Sequence, residues 1–191
     1  LELGGMAYRV NTGKGKPIYP EIMYQTYSQI EAMLSHHEKL LLFRLEIHYH
    51  SFESTNQIIS KLTSKLKRRL NTKSYKFVKR LGYAWAREQK TSEAPHYHAV
   101  FFLDGDKYQY PSKIIDLIED ICDRLGFPKP YTPKNCYYRL RRSQLGNRVM
   151  RSAIYRISYL AKVSTKGNRP EKTHDYGTSR IKHKQNIGVT P

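Results

Sequence analysis

Two short runs in this sequence hold residues that could do chemistry together. His96-Tyr97-His98 opens an apolar stretch, and strand side chains alternate faces, so both histidines would share one face and could hold a single ion while Tyr97 points away. Glu88 precedes them. If the run Arg80–Gln89 pairs with His96–Asp104 as a hairpin that sets Glu88 opposite His96, then Ala86 faces His98 and Ala84 faces Val100, and these small residues leave space above the ion. An isolated HxH is weak evidence, since two surface histidines on a strand look the same. The second run is Tyr155-Arg156-Ile157-Ser158-Tyr159-Leu160-Ala161-Lys162. At helical spacing Tyr155, Tyr159 and Lys162 fall within an arc of roughly 60°, opposite Ala153, Ile157, Leu160 and Ala161.

The chemistry these groups support is attack on a phosphodiester. A phenol with a pKa near about 10 is a poor nucleophile at neutral pH, and a divalent cation on Glu88, His96 and His98 would polarise the phosphate beside it. Lys162 adds positive charge near the nucleophile. The product would be a phosphotyrosine and a free sugar hydroxyl, and a second tyrosine allows a second transfer. Glu46 and His48 share a polar strand face and stand as alternative third ligands.

The elements that must position these groups follow from hydropathy. Glu21–Leu40 has helical periodicity, with Ile22, Ile30, Met33 and Leu34 on its apolar side. Leu41–Tyr49 alternates as a strand with one buried face, Leu41, Phe43, Leu45 and Ile47 against Leu42, Arg44, Glu46 and His48. A helix N-capped by Ser54 carries Ile58, Leu62, Leu66 and Leu70. Pro111–Leu125 is an amphipathic helix stopped by Gly126, Cys136–Arg141 a basic strand, and Val149–Val163 the last helix. The order α, β, α, β, β, α, β, α predicts an α+β domain, an antiparallel sheet of four to five strands with helices packed against it. Its expected extent is residues 18–163, after a flexible lead-in at 1–17 and before a basic segment at 164–191. Leu1–Gly5 reads as expression-derived residues ahead of a start at Met6.

Composition narrows the partners. Thirty-four Lys and Arg against 16 Asp and Glu leave a net charge of +18 on 191 residues, which favours a polyanion. Lys61, Lys65, Lys67, Arg68 and Arg69, with Arg139, Arg141, Arg142, Arg148 and Arg151, are candidates to meet phosphates, and Tyr137 or Tyr138 to stack on an unpaired base. No run of apolar residues is long enough to span a membrane, and two cysteines, Cys122 and Cys136, make neither a disulfide framework nor a zinc motif, so a cytoplasmic setting is expected. Gly13-Lys14-Gly15-Lys16 lacks P-loop spacing, so no nucleotide cofactor is expected.

The HYH strand followed by the YxxxYxxK helix resembles the HUH endonucleases, which nick and join single strands in rolling-circle replication. Leu42-Phe43-Arg44-Leu45-Glu46-Ile47-His48 and Tyr176-Gly177-Thr178-Ser179-Arg180 are similar to the gene-2-type replication proteins of filamentous phages and prophages, over roughly residues 40 to 181. The resemblance implies an RRM-like sheet, Tyr155 and Tyr159 as nucleophiles, Lys162 as their helper, and His96 and His98 as ligands with Glu88 in the third place. It implies Mn2+ or Mg2+, a single-stranded or hairpin origin in a bacterial host, and a host helicase and polymerase as partners. Two rival readings remain: a non-catalytic single-stranded nucleic-acid-binding module with incidental histidines, and, ranked last, an iron oxygenase on a two-histidine, one-carboxylate triad.

Overall fold

A computed structural model of the chain describes residues 1–11, 15, 17–50, 54–88, 94–163, 170–171 and 173–185; Gly13, Lys14 and Lys16 of the lead-in fall outside them. The chain opens with a small hairpin, β1 (Glu2–Leu3) and β2 (Met6–Ala7), turned by Gly4 and Gly5 at φ 54° and 72°. Two successive positive φ angles are what a two-residue hairpin turn of the primed type requires. Then follow α1 (Pro20–His36), β3 (Lys39–His48), α2 (Gln57–Leu70), β4 (Gly82–Glu88), β5 (His96–Asp104), α3 (Ser112–Arg124), β6 (Tyr137–Arg141), α4 (Arg148–Ile157) and β7 (Tyr176–Thr178). The predicted α+β class and the order of its elements hold. Strands β6-β3-β5-β4-β7 form one antiparallel sheet, to which the segment after residue 163 contributes β7, while β1 and β2 of the lead-in pair with each other in a separate two-stranded sheet. The drop in hydropathy at residue 163 is therefore not the end of the sheet.

Both faces of the sheet are covered, where alternation predicts a single buried face for β3. Leu41, Phe43, Leu45 and Ile47 join Tyr97 and Phe101 in a core closed by Ile58, Leu62 and Leu66 of α2 and Ile114, Ile118 and Ile121 of α3. Leu40, Leu42, Val100 and Phe102 face the other way, into a second core with Ile30 and Met33 of α1 and Ala153, Ile154 and Ile157 of α4. The consecutive leucines at 40–42 are the trace of this double burial, since a strand apolar on both faces loses its alternation. Phe101 is fully buried and its ring stacks on Phe43 at 5.3 Å. Phe101→Ala is expected to lower stability by about 3–5 kcal/mol, read as a shift in the urea midpoint with an unchanged slope.

Two boundaries differ from the sequence reading in ways that matter. The helix after β3 begins at Gln57 with Asn56, not Ser54, at its N-cap. Helix α4 is capped by Asn147, whose side chain accepts from the Met150 N–H at 2.9 Å, and it ends at Ile157 instead of running to Val163. Ser158–Ala161 continues as a 3-10 turn. There the Ser158 hydroxyl donates to Tyr155 O at 2.8 Å and accepts the Asn11 N–H at 2.8 Å, while Tyr19 N–H donates to Ala161 O at 2.8 Å. The lead-in thus pins the turn that carries Tyr159.

Candidate metal centre and adjoining basic groove

On the second face of the sheet the apolar cover gives way at Arg44, and the strand ends beyond it are polar. The observed register pairs Glu88 with His96, Ala86 with His98 and Ala84 with Val100, as the sequence predicted, and sets Glu46 opposite His98 and His48 opposite His96 on the other flank. Period-two alternation therefore brings Glu46, His48, Glu88, His96 and His98 to one face of three neighbouring strands. Their geometry is that of a ligand set. Glu88 Oε2 lies 2.5 Å from His98 Nε2 and 3.3 Å from His96 Nε2, and the two Nε2 atoms are 3.1 Å apart. Glu46, His96 and His98 also offer ligand atoms within 4.8 Å of one another. Glu46 Oε1, however, faces His98 Nδ1, at 3.4 Å. His98 thus turns one nitrogen to Glu88 and His96 and the other to Glu46. The His48 ring stacks on His96 at 5.1 Å.

The electrostatics agree with a cation site. Burial acts against ionisation of Glu88, but hydrogen bonds from His96 and His98 outweigh it and hold the carboxyl well below its ordinary range. Burial of His98 disfavours its charged form, and the bonds to Glu46 and Glu88 reverse the balance, raising its pKa. Two imidazole nitrogens and a carboxylate oxygen converging on one point are a donor set that could hold a metal ion.

Of the tyrosines, Tyr159 meets this cluster. Its ring packs edge-on against His98 at 4.7 Å, and Lys162 Nζ lies over the ring at 3.9 Å from its centroid. Burial first, then the charges of Glu88 and Glu46, raise the phenol's pKa. Tyr155 lies elsewhere. It sits under Arg9, whose guanidinium is 5.8 Å from its ring centroid, and lines a groove instead of the histidine cluster. The expected stripe of two phenols and an ammonium is split because the 3-10 turn advances about 120° per residue where an α-helix advances about 100°. The opposite stripe holds: Ala153, Ile157, Leu160 and Ala161 are all buried. The space expected above Ala84 and Ala86 is filled, for both are buried in the second core, where their small side chains let the Ser158–Ala161 turn approach β4.

The groove has a volume of about 1210 Å3 and runs along β6 and α4. Arg9, Arg139, Arg148, Arg151 and Arg156 line it together with Tyr137, Tyr138 and Tyr155, and among the described residues no acidic one does. Arg9 and Arg156 are not legible as groove residues in the sequence, Arg9 because it lies in the lead-in and Arg156 because it stands alone between apolar and aromatic neighbours. The other basic residues do not form one surface. Lys61, Lys65 and Arg68 line a shallow depression on α2, which covers the other face of the sheet; Arg69 pairs with Asp120 at 3.6 Å and Arg142 with Glu38 at 2.7 Å. Among the described residues no helix is long and apolar enough to cross a membrane.

No curated protein and no solved structure matches the chain. One family model does, that of the YagK/YfjJ C-terminal domain, over residues 6–126. The match takes in α1 to α3, with Glu46, Glu88, His96 and His98, and stops short of β6 and α4. Matched over more than half of its length, including every strand that supplies the metal-ligand cluster, the chain belongs to the YagK/YfjJ C-terminal domain family.

Proposed function

We propose that the protein is a metal-dependent single-stranded DNA nickase and strand transferase of the HUH type, with Tyr159 as its first nucleophile. The observation that carries this reading is the placement of the Tyr159 ring on His98, whose Nε2 shares a point with His96 Nε2 and Glu88 Oε2. Glu88, His96 and His98 would hold a divalent cation, which when bound would supply charge to polarise a phosphate and offset the two carboxylates beside the phenol. Glu46 keeps a proton on His98 Nδ1 and so leaves Nε2 as the donor toward the site. Lys162 favours the phenolate through its charge over the ring. The Tyr159 oxygen forms a bond to phosphorus, the P–O3′ bond breaks, and the phenol proton passes through solvent to the departing 3′ oxygen. The arginines of the groove hold backbone phosphates, and Tyr137, 38% exposed, offers a ring to an unpaired base. Tyr155, on the groove wall, would serve a second transfer only after the strand shifts. A host helicase and polymerase would complete a replication round on a single-stranded or hairpin origin.

The groove by itself also favours the second reading, a non-catalytic module for single-stranded nucleic acid. Incubation with mixed-sequence single-stranded oligonucleotides and Mn2+, followed by a denaturing gel, separates the two. A band of protein plus DNA that resists denaturation is expected; retardation on a native gel with no such band would support the binding module.

A further inference from the structure

A second basic cleft lies at the far end of the sheet from the metal-ligand cluster. It has a volume of about 470 Å3 and is lined by His36 of α1, Lys67 of α2, Lys79 and Arg80 ahead of β4, and Lys182 and Lys184 of the C-terminal tail. Segments far apart in sequence are brought together to make it, and the tail is strapped into place along α1. Ile181 N–H donates to Gln29 Oε1 at 2.9 Å, the His36 Nε2–H donates to Lys182 O at 3.0 Å, and Lys184 N–H donates to Ser35 Oγ at 2.8 Å. These bonds use the tail's backbone and leave the Lys182 and Lys184 side chains exposed. Among the described residues none of the five Lys and Arg side chains forms an ion pair with a carboxylate, and no acidic residue lines the cleft. Holding like charges together without counter-charge costs free energy that a bound polyanion would recover.

We infer that this cleft binds the phosphate backbone of double-stranded DNA, anchoring the uncut duplex while a single strand enters the groove. The inference rests on the reading above for the kind of polyanion. The choice of duplex comes from the contrast between the two sites. The groove carries three tyrosines that can stack on unpaired bases; among the described residues the cleft has no Tyr, Phe or Trp in its lining, where five Lys and Arg side chains suited to phosphates sit beside Leu81, Ile181 and Gln185. Six residue steps of β4, about 20 Å, separate its Gly82 end beside the cleft from Glu88. One molecule can therefore hold a duplex and a strand leaving it.

The test compares the full chain with a Lys79→Ala, Arg80→Ala, Lys182→Ala, Lys184→Ala variant, by fluorescence anisotropy in a chelator so that no cleavage occurs. The probes are a blunt duplex and a single-stranded oligothymidine. The variant is expected to bind the duplex at least about tenfold more weakly near physiological salt. Its slope of log affinity against log salt should be shallower by about 0.9 for each phosphate that the variant no longer neutralises. Its affinity for the single strand and its Mn2+ titration should match the unaltered chain. Unchanged duplex affinity, or an equal loss on both probes, would overturn the assignment. The milder Lys182→Ala, Lys184→Ala pair, which leaves the tail's backbone bonds intact, serves if the fourfold variant melts early. Duplex binding that depends on these residues in a protein that never forms an adduct would sink the nickase reading and leave the cleft standing. Adduct formation with normal duplex binding by the variant would do the reverse.

Discussion

His98→Ala is expected to abolish cleavage and to weaken Mn2+ binding by well over a hundredfold, while the fold and most DNA affinity survive. His98 is the centre of the cluster: its Nε2 meets Glu88 and His96, its Nδ1 meets Glu46, and its ring supports Tyr159. The other members then separate by role. Glu88→Gln removes a carboxylate oxygen that lies 2.5 Å from one imidazole and 3.3 Å from the other, so it should approach the loss seen for a ligand. Glu46→Gln keeps a hydrogen-bond acceptor toward Nδ1 and should cost metal affinity only about 10- to 100-fold, the range for an outer partner. Isothermal titration with Mn2+ ranks the variants. A larger loss for Glu46→Gln than for Glu88→Gln would exchange their roles.

Tyr159→Phe is expected to reduce covalent adduct at least about a thousandfold, since it deletes the attacking oxygen itself. The phenylalanine ring can still pack on His98 and under Lys162, so melting temperature and Mn2+ affinity should stay close to those of the unaltered chain. Tyr155→Phe should leave a single nick largely intact and slow only events that need a second transfer, because Tyr155 lines the groove under Arg9. Lys162→Ala should slow adduct formation without removing it. Quenched-flow cleavage of a labelled single strand checks all three. Equal losses for the two tyrosine variants would mean that both phenols reach the phosphate in the same step.

Much of this arrangement is legible in the sequence, and the reason is alternation. His96-x-His98 at the head of an apolar run, and Glu88 at the end of another, can meet only in a hairpin register, and the sheet has that register to the residue. Glu46 and His48 are visible on the same grounds. Less legible is whatever depends on contacts between distant segments. Strand β7 is three residues long, too short for any periodicity, and joins the sheet through pairing with β4. Helix α4 gives way after Ile157 to a turn held by Asn11 of the lead-in on Ser158 and by Tyr19, just ahead of α1, on Ala161, and no local signal marks the break. That break moves Tyr155 away from Tyr159. The helical wheel is correct for the buried stripe, which packing selects, and misleading for the polar one, which it does not. Gly4-Gly5 does announce a tight turn, and the hairpin it closes pairs Glu2 with Ala7 and Leu3 with Met6.

The most direct test of the central claim is to identify the amino acid that carries the DNA. The adduct formed with a single-stranded oligonucleotide and Mn2+ would be digested with protease and nuclease, and the nucleotide-bearing peptide sequenced by mass spectrometry. The expected peptide holds a phosphodiester on Tyr159, with the adduct absent from the His98→Ala protein. A nucleotide on Tyr155 or on any other tyrosine, or an adduct that persists without His98, would contradict the assignment of Tyr159 beside the metal-ligand cluster as the nucleophile.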